Sequence, residues 1–164
     1  MVETVKGIDR ILLFRPLSKQ ETDAASKLAF QTEHEISKSR DVDSVATKDG
    51  YRQSLGDLET EISVTSILAK DDPFADEMEE AFDEGEIIEI WDIDRSAEGT
   101  EGKFKATYYQ AYATDFSQSP NAEDDVEMSI DFSVNGKGQK GEATLTEEQA
   151  DVVQYAFADT TIEG

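Results

Sequence analysis

Apolar residues along this chain recur mostly at every second position, the period of half-buried strands, and one segment switches to the longer period of a helix. Ile8 to Arg15 is rich in Ile, Leu and Phe and is closed by Pro16, which cannot donate to a sheet ladder, so a strand is predicted to end there. Leu28 to Ile36 reads as a second strand. Glu59 to Leu68 reads as a third, with Ile62 and Val64 on one face and Ser and Thr on the other. Val126, Met128, Ile130, Phe132 and Val134 share one face of the cleanest strand in the chain.

The period changes after Asp72, a good N-cap followed by Pro73 at the first helical position. Phe74, Met78, Ala81 and Phe82 then recur at helical spacing, Glu77, Glu79 and Glu80 take the wet side, and Gly85 can end the helix in a left-handed cap. The helix is predicted over 73–84. From Glu86 to Ile93 both faces carry apolar residues: Ile88 and Ile90 lie with Asp92, and Ile87, Trp91 and Ile93 with Glu89. Such a strand is expected to be covered on both sides, one face by the core and the other by a partner. A hairpin loop over 94–102 leads to a long strand from Lys103 to Ser119 with a bulge, and Pro120-Asn121 is read as a turn. Asn135 to Gly138 is another turn, Ala143 and Leu145 allow a short strand, and Thr146-Glu147-Glu148-Gln149 has capping-box form. Residues 150–158 fit a helix and a strand equally well.

One stretch has neither period. Residues 38–56 hold few large apolar side chains and many Ser, Thr, Asp and Lys, with the turn pair Asp49-Gly50, and read as a long polar, hairpin-like loop. A loop of that length within a compact domain is usually functional or disordered. The class is therefore mainly β (α+β), with one flanking helix and one long polar loop, at a length of 164 residues that suits a single domain.

Charge narrows the function. The chain has 38 acids against 15 bases, a formal net charge of −23, which opposes general binding of nucleic acid through phosphates. The excess is uneven: residues 1–50 carry 8 Lys/Arg and 9 Asp/Glu, whereas residues 51–164 carry 7 and 29. Eight Phe, five Tyr and one Trp spread along the chain argue against disorder of the whole. The longest apolar run, Ile11 to Phe14, is far short of a membrane span, and the charged residues around it leave no secretory core segment. The absence of cysteine removes disulfides, thiolate metal sites and cysteine nucleophiles, and suits a reducing cytoplasm.

Little chemistry stands out. His34, the single histidine, reads as a strand surface residue rather than a metal ligand or general base. Asp41-Val-Asp43 and Asp92-Ile-Asp94 each supply two carboxylates for a hard cation, but neither continues into the EF-hand pattern. There is no nucleophile elbow, P-loop or dinucleotide fingerprint, and the glycines of Gly136 to Gly141 have the wrong spacing. No enzyme and no cofactor are expected. The rival readings are an acidic monomeric β binding module, either a calcium-dependent adhesin-like unit or a DNA mimic.

Ile11 to Arg15, Gln31 to Asp43 running on to Thr47-Lys48-Asp49-Gly50, Gly85 to Trp91, and Gly141 to Tyr155 together resemble the major tail (tail tube) proteins of long-tailed phages infecting Gram-positive bacteria. The resemblance covers roughly residues 7 to 160 and implies a β-sandwich or half-barrel, a single tail tube domain over 1–164 without an added C-terminal immunoglobulin-like domain, and no catalytic residues. It implies homohexameric rings stacked into a tube in the virion tail, assembled in the host bacterial cytoplasm. The expected neighbours are the tape measure, tail terminator and distal tail proteins, with DNA passing unbound and no membrane contact. It also implies that the long loop touches neighbouring subunits and the adjacent ring, through Lys38, Arg40, Asp41, Asp43, Thr47, Lys48, Asp49, Gly50, Tyr51 and Arg52.

Overall fold

The computed structural model describes residues 4, 6–20, 25, 31–68, 73–98, 103–122 and 124–144. They form strands β1 (Arg10–Pro16), β2 (Gln31–Thr47) and β3 (Gly50–Ile67), helix α1 (Pro73–Glu84), and strands β4 (Ile87–Glu98), β5 (Lys103–Asn121), β6 (Asp124–Val134) and β7 (Gln139–Thr144). The strands make one antiparallel sheet in the order β1-β4-β5-β6-β3-β2, with β7 alongside the first half of β5. The sheet curls until its two ends meet. The Gln31 amide, at the start of β2, donates to the Leu12 carbonyl at 2.9 Å and accepts from the Leu12 N–H at 3.3 Å, so a side chain supplies the ladder bonds that a further strand on β1 would make.

The core lies between the inner face of this curl and α1. Leu12 and Phe14, Ile62 and Val64, Ile88 and Ile90, and Met128, Ile130 and Phe132 reach it at alternate positions, and Phe74, Ala75, Met78 and Ala81 meet them from the helix. Phe14 stacks on Phe132 with ring centroids 5.5 Å apart. The helix has the expected bounds, and Gly85 follows it at φ 68, a left-handed conformation that a residue with a Cβ adopts at a cost. Asp72, the expected N-cap, lies outside the described residues, as do the start of the Leu28 strand, the tip of the 94–102 loop, Leu145, the capping box and residues 150–158.

Three expectations need correction. The stretch 38–56 is hairpin-shaped but is not a loop: β2 and β3 stay paired from Gln31–Ser66 to Thr47–Gly50, and only Lys48 and Asp49 form the turn. Ladder bonds need no apolar side chain, and the turn is locked by Thr47, whose hydroxyl donates to the Gly50 carbonyl and accepts from the Asp49 N–H, with Gly50 at φ 111. The outer face of β4 is covered by the chain itself, because Ile93 packs with Ile11 and Leu13 in a second cluster that Ala25, Trp91, Phe104, Ala106 and Ala143 flank. The turn after β5 lies beyond Asn121, which pairs with Asp124; Pro120 sits instead at a register shift between Ser119 and Asn121, where a missing N–H breaks no ladder bond. The bulge expected in β5 is present as a register shift between Ala113 and Asp115.

Candidate functional site

Two surfaces stand apart from the packed body. The first is the outer face of β2, β3, β6 and β5, opposite the core. Every inward position on β3 and β6 is matched by an outward neighbour that is polar, and the register lines these up across strands: Glu35, Ser63 and Asp131 form one row, and Ser37, Glu61 and Ser133 the next. Asp115 on β5 pairs directly with Asp131, two like charges side by side, which costs rather than adds stability. Glu35, Ser37, Glu61, Ser63, Thr114 and Asp131 line a shallow groove of about 310 Å³. Where these four strands lie side by side, their outward face carries hydroxyls and carboxylates and no Lys or Arg among the described residues. The Glu-Ile-Ser-Val-Thr alternation already sets Ser and Thr opposite Ile62 and Val64, and the polar half of Glu-Met-Ser-Ile-Asp-Phe-Ser continues that face.

The second surface is the outer half of the β2–β3 hairpin, an arm that extends past the sheet. The β6 partner of β3 ends at Ser133, opposite Glu61, so beyond that point the two strands have only each other. All ten residues expected to lie at subunit contacts are exposed here: Lys38, Arg40, Asp41, Asp43 and Thr47 on β2, Lys48 and Asp49 in the turn, and Gly50, Tyr51 and Arg52 on β3. Four of the six large apolar side chains exposed among the described residues, Val42, Val45, Tyr51 and Leu55, also sit on the arm.

Two buried carboxylates brace the body and supply no open site. Asp92 points to the inner side, where it accepts hydrogen bonds from the Arg10 guanidinium and lies 3.6 Å from His34 Nε2. Burial pushes the Asp92 carboxyl up, but the close approach of His34 and the hydrogen bonds and charge of Arg10 outweigh it, so the group rests below the ordinary carboxylate range. His34 is therefore not the surface residue expected; it is largely buried beside Asp92 and helps join β2 to β4. Asp94, two residues on, turns instead to the Ser96 N–H and hydroxyl, so the Asp92-Ile-Asp94 pair does not converge on one cation. On the outer side the fully buried Glu89 accepts from Arg15 Nε at 2.6 Å, Gln20 Nε2 at 3.0 Å and the Tyr108 hydroxyl, while Arg15 lies over the Trp91 ring. Burial and the hydrogen bond to Glu89 push the Tyr108 phenol up. With every acceptor paired, this is a latch on the segment after β1. No three His, Asp or Glu side chains among the described residues come together as a metal site, and no described helix is long and apolar enough to cross a membrane.

A family model described as phage tail tube protein matches residues 4–140. The chain belongs to the phage tail tube protein family. A putative tail protein of Staphylococcus phage phiMR25 is 35% identical to this tail tube protein over 159 residues, covering 93% of this chain and 81% of the relative. The tail tube protein gp17.1* of Bacillus phage SPP1 is 29% identical over 159 residues, covering 96% of this chain and 60% of that protein. The SPP1 tail tube solved by solid-state NMR and cryo-EM shares the fold, with a TM-score of 0.77 over 92% of this chain and 86% of that one at 22% identity. The tail of an empty gene transfer agent particle, refined with C6 symmetry, shares it at a TM-score of 0.64 over 83% and 98% of the two chains and 15% identity. The protein is thus a structural component of a bacteriophage tail tube, in a family that is structural and not enzymatic.

Proposed function

We propose that this tail tube protein assembles with itself into hexameric rings, that the rings stack through the arms into a hollow tube, and that DNA passes down the bore into the host. The whole chain, 1–164, acts as one tube domain in this reading. It is made and assembled in the host bacterial cytoplasm, and the tube meets the tape measure within and the terminator and distal tail proteins at its ends. The observation that carries the reading is the outer face of β2, β3, β6 and β5, which, where the four strands lie side by side, bears carboxylates and hydroxyls and no Lys or Arg among the described residues. Turned to the bore, such a face repels phosphate and gives DNA nothing to adhere to. At ~0.15 M salt this repulsion reaches about 8 Å, so it acts on DNA that comes close to the wall.

Negative-stain microscopy of the concentrated pure protein tests the reading: hollow tubes of six-fold rings are expected, and a monomer at every concentration would overturn it. Because each subunit carries −23, light scattering should also report stronger polymerisation as salt rises. Scattering that is flat or falls with salt would count against the tube.

A further inference from the structure

The arm is a ribbon with two unlike sides, and one irregularity makes it so. Between Arg40 and Val42 the register shifts: Arg40 pairs with Leu58 but Val42 pairs with Leu55, so Gly56 and Asp57 together oppose Asp41. The side-chain period of a strand is two, so one extra residue exchanges the sides of everything beyond it on β3. On β2 alternation is unbroken from Ile36, which packs on the core, through Lys38 and Arg40 to Val42 and Ala46. The bulge brings Leu55 and Tyr51 onto that same side, opposite Val42 and Ala46; an unbroken ladder would have turned them to the acidic side.

The result is a sharp division. The side that continues the core face holds Lys38, Arg40, Val42, Tyr51, Leu55 and Leu58 and no carboxylate at any position from Lys38 to Thr60, in a chain with 38 acids. The side that continues the acidic face holds Asp41, Asp43, Asp57, Glu59 and Glu61 with Arg52 as its one cation. Tyr51 is 80%, Leu55 62% and Val42 53% exposed, so the apolar side chains of this side are uncovered in the single chain, while Arg40 beside them is exposed and makes one bond, to the Gly56 carbonyl at 3.1 Å. Its occupant follows from charge. Residues 38–57 contain four Lys/Arg and four Asp/Glu, so the whole excess of −23 lies elsewhere on the chain, and a second copy offers this side an acidic surface that its cations complement.

We propose that the apolar–basic side of the arm is the face that docks on a second copy of the chain, while the carboxylate side stays turned to the bore. This rests on the tube reading and adds which half of the arm makes the contact. The test uses two variants of the full chain with equal added charge. Val42→Asp/Leu55→Asp should raise the concentration needed for tubes by about 30-fold or more, as loss of interface anchors does. Val45→Asp/Ser54→Asp, on the other side of the same ribbon, should leave that concentration within about threefold. As a second measurement, the cysteine-free chain permits single labels: an environment-sensitive dye at Leu55→Cys should shift to the blue on assembly, and one at Ser54→Cys should not. Equal loss in both double variants, loss in the Val45/Ser54 variant alone, or dye shifts at both sites would overturn the proposal. If the unaltered chain forms no tubes at all, it is the tube reading that fails.

Discussion

Strands β2 and β3 are each one continuous strand, yet their inner and outer halves live under different physics. In the inner half Ile36, Ile62 and Val64 meet the core, and β3 is paired on both edges, by β2 and β6. In the outer half the same two strands are held to each other mainly by ladder bonds, with Arg40 and Thr47 adding side-chain bonds to the Gly56 and Gly50 carbonyls, and past Leu58 most side chains stand in solvent on both faces. Hydrogen bonds that trade against water add little net stability, whereas buried apolar area adds most of it. The inner half therefore holds the fold, and the outer half adds little to it, which leaves its side chains free to serve the assembly contact proposed above. Substitutions should separate the two: inward positions change folding, and arm positions change assembly while leaving the folded body unaltered.

The widest separation is expected on β3 itself. Ile62 is 1% exposed and Leu55, seven residues earlier on the same strand, is 62% exposed. Ile62→Ala should cost about 2–5 kcal/mol, and Leu55→Ala should stay within about 0.5 kcal/mol. For a chain of this length each kcal/mol moves the melting temperature by about 2–4 °C, so thermal unfolding by circular dichroism resolves the two variants. Equal shifts would mean that the arm is as much a part of the folding unit as the body.

This division explains how much could be read from residues alone. Helix 73–84, its closing Gly85, the β6 alternation and the β5 bulge were legible because each is written in neighbouring residues that face a core. The paired arm was not, because its Ser, Asp and Lys residues have no core to alternate against, and pairing two such strands depends on register rather than on apolar pattern. The buried carboxylates were hidden for another reason. Glu89 depends on Arg15, 74 residues away, and Asp92 on Arg10, 82 residues away, and no local pattern reports such a partner. Glu89 alternates with Ile88 and Ile90 and reads as an ordinary polar position, and Asp92 reads as half of a cation-binding pair, until β1 is laid beside β4.

Asp92 gives the next largest effect, at the seam where the inner half of β2 is tied to β4. Asp92→Asn keeps the shape and removes the charge that Arg10 and His34 face, and should destabilise the body at neutral pH by about 1.5–3 kcal/mol, the range for a hydrogen bond to a charged group. The sign with pH follows from the lowered carboxyl. Its stabilisation is full above the ordinary aspartate value of about 3.9 and is lost as pH falls through the lower folded value. The gap between the native chain and the Asp92→Asn variant should therefore close below about pH 4. Denaturant unfolding of both proteins across that range measures the closing gap, and a gap constant down to pH 2 would remove Asp92 from the seam.

The smallest effect has the opposite sign and tests the acidic face. Asp115 and Asp131 sit directly across from each other on β5 and β6 with no cation between them. Aligned like charges of this kind cost about 0.2–1 kcal/mol, so Asp131→Asn should stabilise the isolated subunit by that amount. The gain should shrink as salt rises, because screening removes the repulsion that the substitution relieves. A surface selected only for the stability of one subunit would place a Lys at one of the two positions. Retaining two acids in register is the cost expected if this face lines the proposed bore and repels phosphate there. If Asp131→Asn destabilises the subunit, or its gain is unchanged by salt, the face owes its carboxylates to the fold and the bore argument loses its energetic support.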